Sequence, residues 1–252
     1  MTERNVIFGE AVEQYESARA GYPDELVSDV LAYAGPGPGP VLEVGAGSGK
    51  ASVGFAARGV DLTCVEPDPR MAGVLRGHCP GARIVVGVFE DFQPDRAFQL
   101  LYCAQAWHWV DPERRWDLAH AALAPGGGLA LFWNIYSVTD PAVHRALAEI
   151  DARNGVDSSS LHRYSASELD DDFFARDHGL AQDRRFTDLE ERRYRRSEWY
   201  PAERYLDLIR SISAYRILPA EQREALLGDM AAVIGDGLDL TILTDLALAR
   251  RA

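Results

Sequence analysis

Ten residues, Val41-Leu42-Glu43-Val44-Gly45-Ala46-Gly47-Ser48-Gly49-Lys50, restrict this chain more than any others. Val41 to Val44 is a short apolar run of the kind that forms a buried strand, and three alternate glycines then turn the backbone into a helical pattern reaching about Arg58. Glycine is needed where φ is positive or where a Cβ would hold a ligand off the main-chain N–H groups, and a following helix N-terminus adds partial positive charge. Such a turn is a ligand loop. In a dinucleotide fingerprint the third glycine would fall at position 50, where Lys50 stands. The pattern is instead acid-x-Gly-x-Gly-x-Gly, with Glu43 two residues ahead of Gly45. A second apolar run, Val60 to Val65, ends on Glu66, 21 residues after Gly45. A carboxylate there can accept both hydroxyls of an adenosyl ribose and would repel a 2′-phosphate.

The rest of the chain alternates. The spacing predicts strands near 41–44, 60–65, 83–86, 98–103 and 129–133 and helices near 49–58, 69–78 and 112–123, preceded by helical stretches at 9–19 and 24–34. Gly35 to Pro40, alternating glycine and proline, is a linker within the domain. Beyond Tyr136 the pattern predicts helices at 140–152, 167–177, 201–213 and 219–234, and two late strands near 185–196 and 238–249 that pair antiparallel. Strand–helix alternation calls for a parallel sheet covered on both faces, with ligands beyond the carboxyl ends of its strands.

Composition narrows the partners. A length of 252 residues suits one α/β domain, and a net charge of −13 argues against a general nucleic-acid or anionic-membrane surface. Small molecules are the expected partners, for a monomer or homodimer. Cys64, Cys79 and Cys103 are odd in number and lack metal-ligand spacing, so they read as buried thiols in a reducing compartment. No basic-then-apolar leader and no run of 18 apolar residues is present, so the expectation is a cytoplasmic chain with no membrane span. Lys50 is the only lysine among 26 basic residues; six of the arginines fall between Arg184 and Arg196, where they read as a solvated strand face or as an anion-binding rim.

Seven ordered blocks resemble the class I S-adenosylmethionine-dependent methyltransferases of the small-molecule type. They are Phe8 to Pro23, Val41 to Lys50, Val65-Glu66-Pro67-Asp68 with Met71, and Val86-Gly87 with Glu90-Asp91. Ala104-Gln105-Ala106-Trp107-His108-Trp109, Leu123 with Pro125-Gly126-Gly127, and Trp133-Asn134 complete the series. Together they span about residues 8 to 134. The resemblance implies a Rossmann-like seven-stranded sheet, mostly parallel with an antiparallel last strand, in a single domain. Residues 1–34 would form lid helices, 41–136 the cofactor-binding core, and 137–182 with 198–236 a substrate cover.

It also implies S-adenosylmethionine as cofactor. Gly45, Gly47 and Gly49 with Glu43 would lie on its methionine and ribose side, Glu66 and Pro67 at the ribose, Phe89 and Glu90 beside adenine, and Ala104 and Gln105 next to the transferring methyl. Tyr15 and Arg19, four apart on one helical face, would meet the cofactor carboxylate, a group a guanidinium can grip with two bonds. Trp107 and Trp109 bring aromatic faces to a site-facing turn, where a sulfonium gains about 0.5–2 kcal/mol by cation–π attraction. His108 between them reads either as a general base, worth about 10²–10⁴-fold, or as a brace for the turn. Trp133, Asn134 and Tyr136 past the fifth strand, and His162, Tyr164, Tyr200 and Tyr215 from the cover, are expected to line the acceptor pocket.

The departures from the family pattern are specific. Phe98-Gln99 replaces Phe-Asp at the fourth strand, Ala20-Gly21 replaces Pro-Gly, and Ala104-Gln105 stands where metal-dependent catechol methylators carry an acid, so no metal is expected. The Asn-Pro-Pro-aromatic motif of amino-directed nucleic-acid and protein methylators is absent. The expected activity is methylation of a small organic acceptor, at oxygen of a carboxylate or hydroxyl. A nicotinamide oxidoreductase, or a protein that keeps the cofactor without moving its methyl, are the competing readings.

Overall fold

The computed structural model describes residues 18–35, 37, 39–156, 161–169, 180 and 183–252. Tyr15, most of the helical stretch at 9–19 and most of that at 167–177 lie outside them. The first helix, α1 (Asp24–Ala34), leads into β1 (Pro40–Val44). Then follow α2 (Ser52–Ala56), β2 (Asp61–Glu66), α3 (Pro69–His78), β3 (Arg83–Val86), β4 (Phe98–Ala104) and α4 (Arg115–Ala122). The second half holds β5 (Leu123–Val138), α5 (Pro141–Arg153), β6 (Phe186–Pro201), α6 (Ala202–Ser211), α7 (Ser213–Arg216), α8 (Ala220–Ile234) and β7 (Gly237–Arg251).

The seven strands form one sheet in the order β3-β2-β1-β4-β5-β7-β6, in which β7 runs against both of its neighbours. This is the Rossmann-like architecture expected. The two faces of the sheet can be read off its central strands, because successive side chains point to opposite sides. Val41, Leu100, Tyr102 and Phe132 go to one core with α1 and Phe55, whereas Leu42, Val44, Leu101 and Cys103 go to the other with Phe98 and Trp107. Burial on both faces explains why β1 and β2 are buried at consecutive positions and mostly apolar there. A third core joins α5, α6, α7 and α8 to the far ends of β5 and β7.

Five elements differ from expectation. The helix after the glycine loop starts only at Ser52 and lasts five residues, because Gly49 at φ 100° and the turn after it occupy what the spacing reads as a first helical turn. β5, β6 and β7 all run longer than their patterns suggest: once β7 inserts, eleven consecutive partners from Gly128↔Arg250 to Val138↔Leu240 are paired. The predicted 201–213 helix breaks at Ile212, whose φ −88° and ψ 132° are extended, separating α6 from α7.

The arginine-rich strand proves to be a row of staples. Arg192 pairs with Asp29 on α1 at 2.8 Å, Arg193 with Asp245, and Arg196 donates to the Gly21 carbonyl at 2.6 Å and to Thr244. From within the sheet, Asn134 Nδ2 donates to the Ala20 and Gly21 carbonyls at 3.2 and 3.1 Å while its Oδ1 accepts from Thr244. These bonds hold the Ala20-Gly21 segment over the edge of the core. Replacing Asn134 with Ala strips three bonds from a buried site, and the unsatisfied partners cost about 1–3 kcal/mol each. The expected loss is about 2 kcal/mol or more, read as a lower urea midpoint at unchanged m-value.

Candidate functional site

The loops leaving β1, β2, β3 and β4 converge on a cavity of about 230 Å³. Its floor is the glycine loop. Gly45 has φ 68°, and a Cβ on it would come within 2.5 Å of the Ala106 Cβ, so a side chain there would push the β1 and β4 loops apart. The N–H groups of Gly45 and Ala46 both donate to the Val65 carbonyl at 2.9 and 3.2 Å, which ties the loop to β2.

Glu66 closes β2 and is 6% exposed. Its Oε2 accepts the Gly47 N–H at 2.7 Å and its Oε1 the Asp68 N–H at 2.9 Å. Each carboxylate oxygen carries two lone pairs, so one acceptor direction on each remains for a ligand. Burial pushes its pKa up to about 6 against the two N–H bonds, which act the other way; the group is ionised at neutral pH. Pro67, Asp68 and Met71 continue the wall, followed by Gly87, Val88, Phe89 and Glu90 from the β3 loop. Glu90 also braces the β4 loop, since its Oε1 accepts the Asp111 N–H at 2.7 Å.

The β4 loop supplies Ala104, Gln105, Ala106, His108 and Trp109. Gln105 sits at φ 64°, an uncommon conformation for a residue with a side chain, and is held there by its N–H on the Phe132 carbonyl and its Nε2 on the Asn134 carbonyl. His108 and Trp109 are exposed with ring centroids 4.7 Å apart, while Trp107 points into the core against Phe89 and Trp116. The remaining wall comes from far along the chain: Ile212 and Ser213 at the α6–α7 break, and Arg19. Arg19 donates from Nε to the Ser211 hydroxyl and from Nη2 to the Ser211 carbonyl, both at 3.2 Å.

Several expected residues lie elsewhere. Glu43 is fully buried behind the loop, where Oε2 accepts from Ser52, Tyr102 and Cys64. Gly49 is outside the cavity wall and packs against Leu75. Trp133 and Asn134 are buried in the sheet, and the Tyr136 hydroxyl accepts the Ala20 N–H at 3.1 Å. The Tyr164 ring lies under Arg163 and its carbonyl accepts from Ser137. Tyr200 is buried beneath the Arg204 guanidinium, and His162 and Tyr215 are buried in the cover core. Glu43, Asn134, Tyr136, His162, Tyr200 and Tyr215 each have a side-chain polar atom bonded to another part of the protein there. Among the described residues no helix is long and apolar enough to cross a membrane.

Comparison with known proteins agrees with this geometry. Residues 42–131 match the profile of the Methyltransferase domain family. An uncharacterized methyltransferase of Mycobacterium tuberculosis is 38% identical over 154 residues, 61% of this chain and 62% of the relative, so the match spans less than two thirds of that protein. One from Schizosaccharomyces pombe is 25% identical over 92% of both chains. Among solved structures, a candidate type II methyltransferase from Anaeromyxobacter dehalogenans shares the fold with TM-score 0.66 at 23% identity, covering 92% of this chain and 97% of that one. The phosphoethanolamine N-methyltransferase 2 of Haemonchus contortus, solved with S-adenosylhomocysteine, does so with TM-score 0.52 at 13% identity over 96% of this chain and 57% of its own. The seven-stranded sheet and its glycine loop define a Rossmann-like α/β fold. Over residues 42–131 the chain is similar to the Methyltransferase domain family, and its fold is that of class I S-adenosylmethionine-dependent methyltransferases.

Glu43 gives a pH test. Burial raises its carboxyl from 4.5 to about 7, so between those values the folded chain holds a proton that the unfolded chain has released. Stability therefore falls as pH rises through that window. Unfolding midpoints taken from about pH 5 to about pH 8 should drop more steeply for wild type than for Glu43→Gln; parallel curves would show that Glu43 is not the group responsible.

Proposed function

We propose that this chain transfers a methyl group from S-adenosylmethionine to a small organic acceptor, at oxygen of a carboxylate or hydroxyl. The observation that carries the reading is the meeting of Glu66 with the Gly47 backbone at the cavity floor. A buried, ionised acceptor with one lone pair left on each oxygen suits a ribose diol. Val65, Met71, Val88 and Phe89 offer apolar surface for adenine, and Glu90 faces the same space. Arg19, held by Ser211, is suited to a carboxylate at the opposite end. In this reading residues 1–252 act as one domain, with 137–182 and 198–236 as the cover.

The cofactor supplies an electrophilic methyl on a sulfonium. The protein's contribution is placement: holding a nucleophile in line and about 3 Å from the methyl carbon can supply roughly 7–11 kcal/mol of the barrier. The strained Gln105 turn and the Gly45–Ala106 contact fix the floor on which that approach occurs. Trp109 presents an aromatic face favourable to positive charge. Ile212 and Ser213 complete the wall on the cover side. A carboxylate nucleophile attacks without losing a proton; a hydroxyl must lose one, and His108 is the exposed imidazole placed to take it.

Calorimetric titration tests the cofactor. S-adenosylhomocysteine should bind and NAD should not. Glu66→Ala removes a charged acceptor whose hydrogen bonds are worth about 1.5–3 kcal/mol each, so affinity should fall about tenfold or more. Because Glu66 protonates near pH 6, wild-type affinity should weaken as pH drops below that value while the variant's stays flat. NAD binding in place of the homocysteine, or an unaltered Glu66→Ala affinity, would refute the assignment. For the acceptor, His108→Ala should slow methylation of a phenol by about 10²-fold or more and leave a carboxylic acid's rate unchanged, measured by S-adenosylhomocysteine release.

A further inference from the structure

The cover contains a polar cluster that the reading above does not use. Asp151 on α5, His162 on the Leu161–Arg163 turn, Tyr205 on α6 and Tyr215 on α7 meet in its interior. None is more than 2% exposed, so no substrate reaches them and they are not a second active centre. His162 Nδ1 lies 2.6 Å from Asp151 Oδ2, and the Tyr215 hydroxyl donates to the same oxygen at 2.8 Å. On the other side of the ring, Nε2 meets the Tyr205 hydroxyl. A continuous hydrogen-bonded chain thus runs from the Tyr205 hydroxyl through Nε2 and Nδ1 of the ring to the Asp151 carboxylate. Burial holds the Tyr205 hydroxyl protonated. Both tyrosines therefore lean on one buried aspartate, one of them through the imidazole.

Their places along the chain matter. Tyr205 stands before the break at Ile212 and Tyr215 after it. Between them lie Ser211, which holds Arg19, and Ile212 and Ser213, which line the cavity. A hydrogen-bonded post gripping the helix on each side of an extended residue fixes the angle of the break. In a dry interior such bonds meet no competition from water, and loss of one partner strands the other. We propose that the Asp151–His162 pair is that post, and that Tyr205 and Tyr215 are positioning residues which set the Ser211–Ser213 wall, and with it Arg19, over the cavity. The inference rests on the cavity's assignment to S-adenosylmethionine.

Tyr205→Phe and Tyr215→Phe each remove one hydroxyl and keep the ring, so both variants can be tested as the full chain. S-adenosylhomocysteine should bind each about tenfold more weakly than wild type, the loss of roughly one buried hydrogen bond. Coupling is reciprocal, so adding S-adenosylhomocysteine to wild type should shift the ¹⁵N resonances of the His162 ring; a purely structural post would leave them still. A readout that needs no ligand is hydrogen exchange at the Ile212 amide, which donates to the Ile209 carbonyl and should exchange faster in both variants. Unchanged affinity together with unchanged Ile212 exchange would overturn the proposal. If wild type bound no S-adenosylhomocysteine, the assignment of the cavity would fall instead, and Ile212 exchange alone would decide for or against the post.

Discussion

Two backbone loops from different strands approach each other so closely at Gly45 and Ala106 that any side chain on Gly45 would collide with the alanine methyl at 2.5 Å. Much of the site depends on that approach. It brings the β4 loop over the β1 loop, and the Gln105 backbone accepts an unusual positive φ at the same corner. Glu66 closes the corner from the β2 side by taking the Gly47 N–H onto its own carboxylate. Floor, acceptor and turn are thus locked to one another by contacts within the protein.

A second theme is how buried polar groups tie distant segments together. Glu43 lies under the loop with three donors on one oxygen, Asn134 spends its whole amide on the 20–21 segment and Thr244, and Asp151 anchors two helices. Each links parts of the chain more than a hundred residues apart or from different layers, so a buried polar side chain here specifies register as much as it adds stability. The arginines of β6 do the same at the sheet's outer edge. An exposed edge strand of 16 residues presents unpaired backbone groups, and dense charge along it discourages pairing with other chains.

The core of the fold was legible because its signals are local. A buried strand needs an apolar run, a tight turn with positive φ needs glycine, and an acid at the end of the next strand falls at the carboxyl edge of the sheet. The helix predicted near 69–78 forms as Pro69–His78, with Asp68 ahead of it accepting the Arg70 N–H at 2.8 Å. The cover was not legible in the same way. His162, Tyr200 and Tyr215 looked like pocket lining because aromatic and polar residues late in such a chain tend to face the site, yet their hydroxyl and imidazole groups find partners in the interior and turn inward. Ile212 and Ser213 were missed because nothing in Tyr205 to Arg216 announces a break; an isoleucine is at home in a helix, and the extended conformation at Ile212 appears only when both flanking helices dock.

The order of strands and helices, the glycine turn, and the position of Glu66 at its rim can all be read along the chain. Those features follow from which conformations a residue and its near neighbours can adopt. Only the tertiary structure decided which polar side chains look into the cavity and which into the core, because that choice depends on partners contributed by distant segments. Arg19 facing Ser211, and Asp151 joining Tyr215 to His162, are contacts that no spacing along the chain encodes; they exist because three layers of structure close on one another.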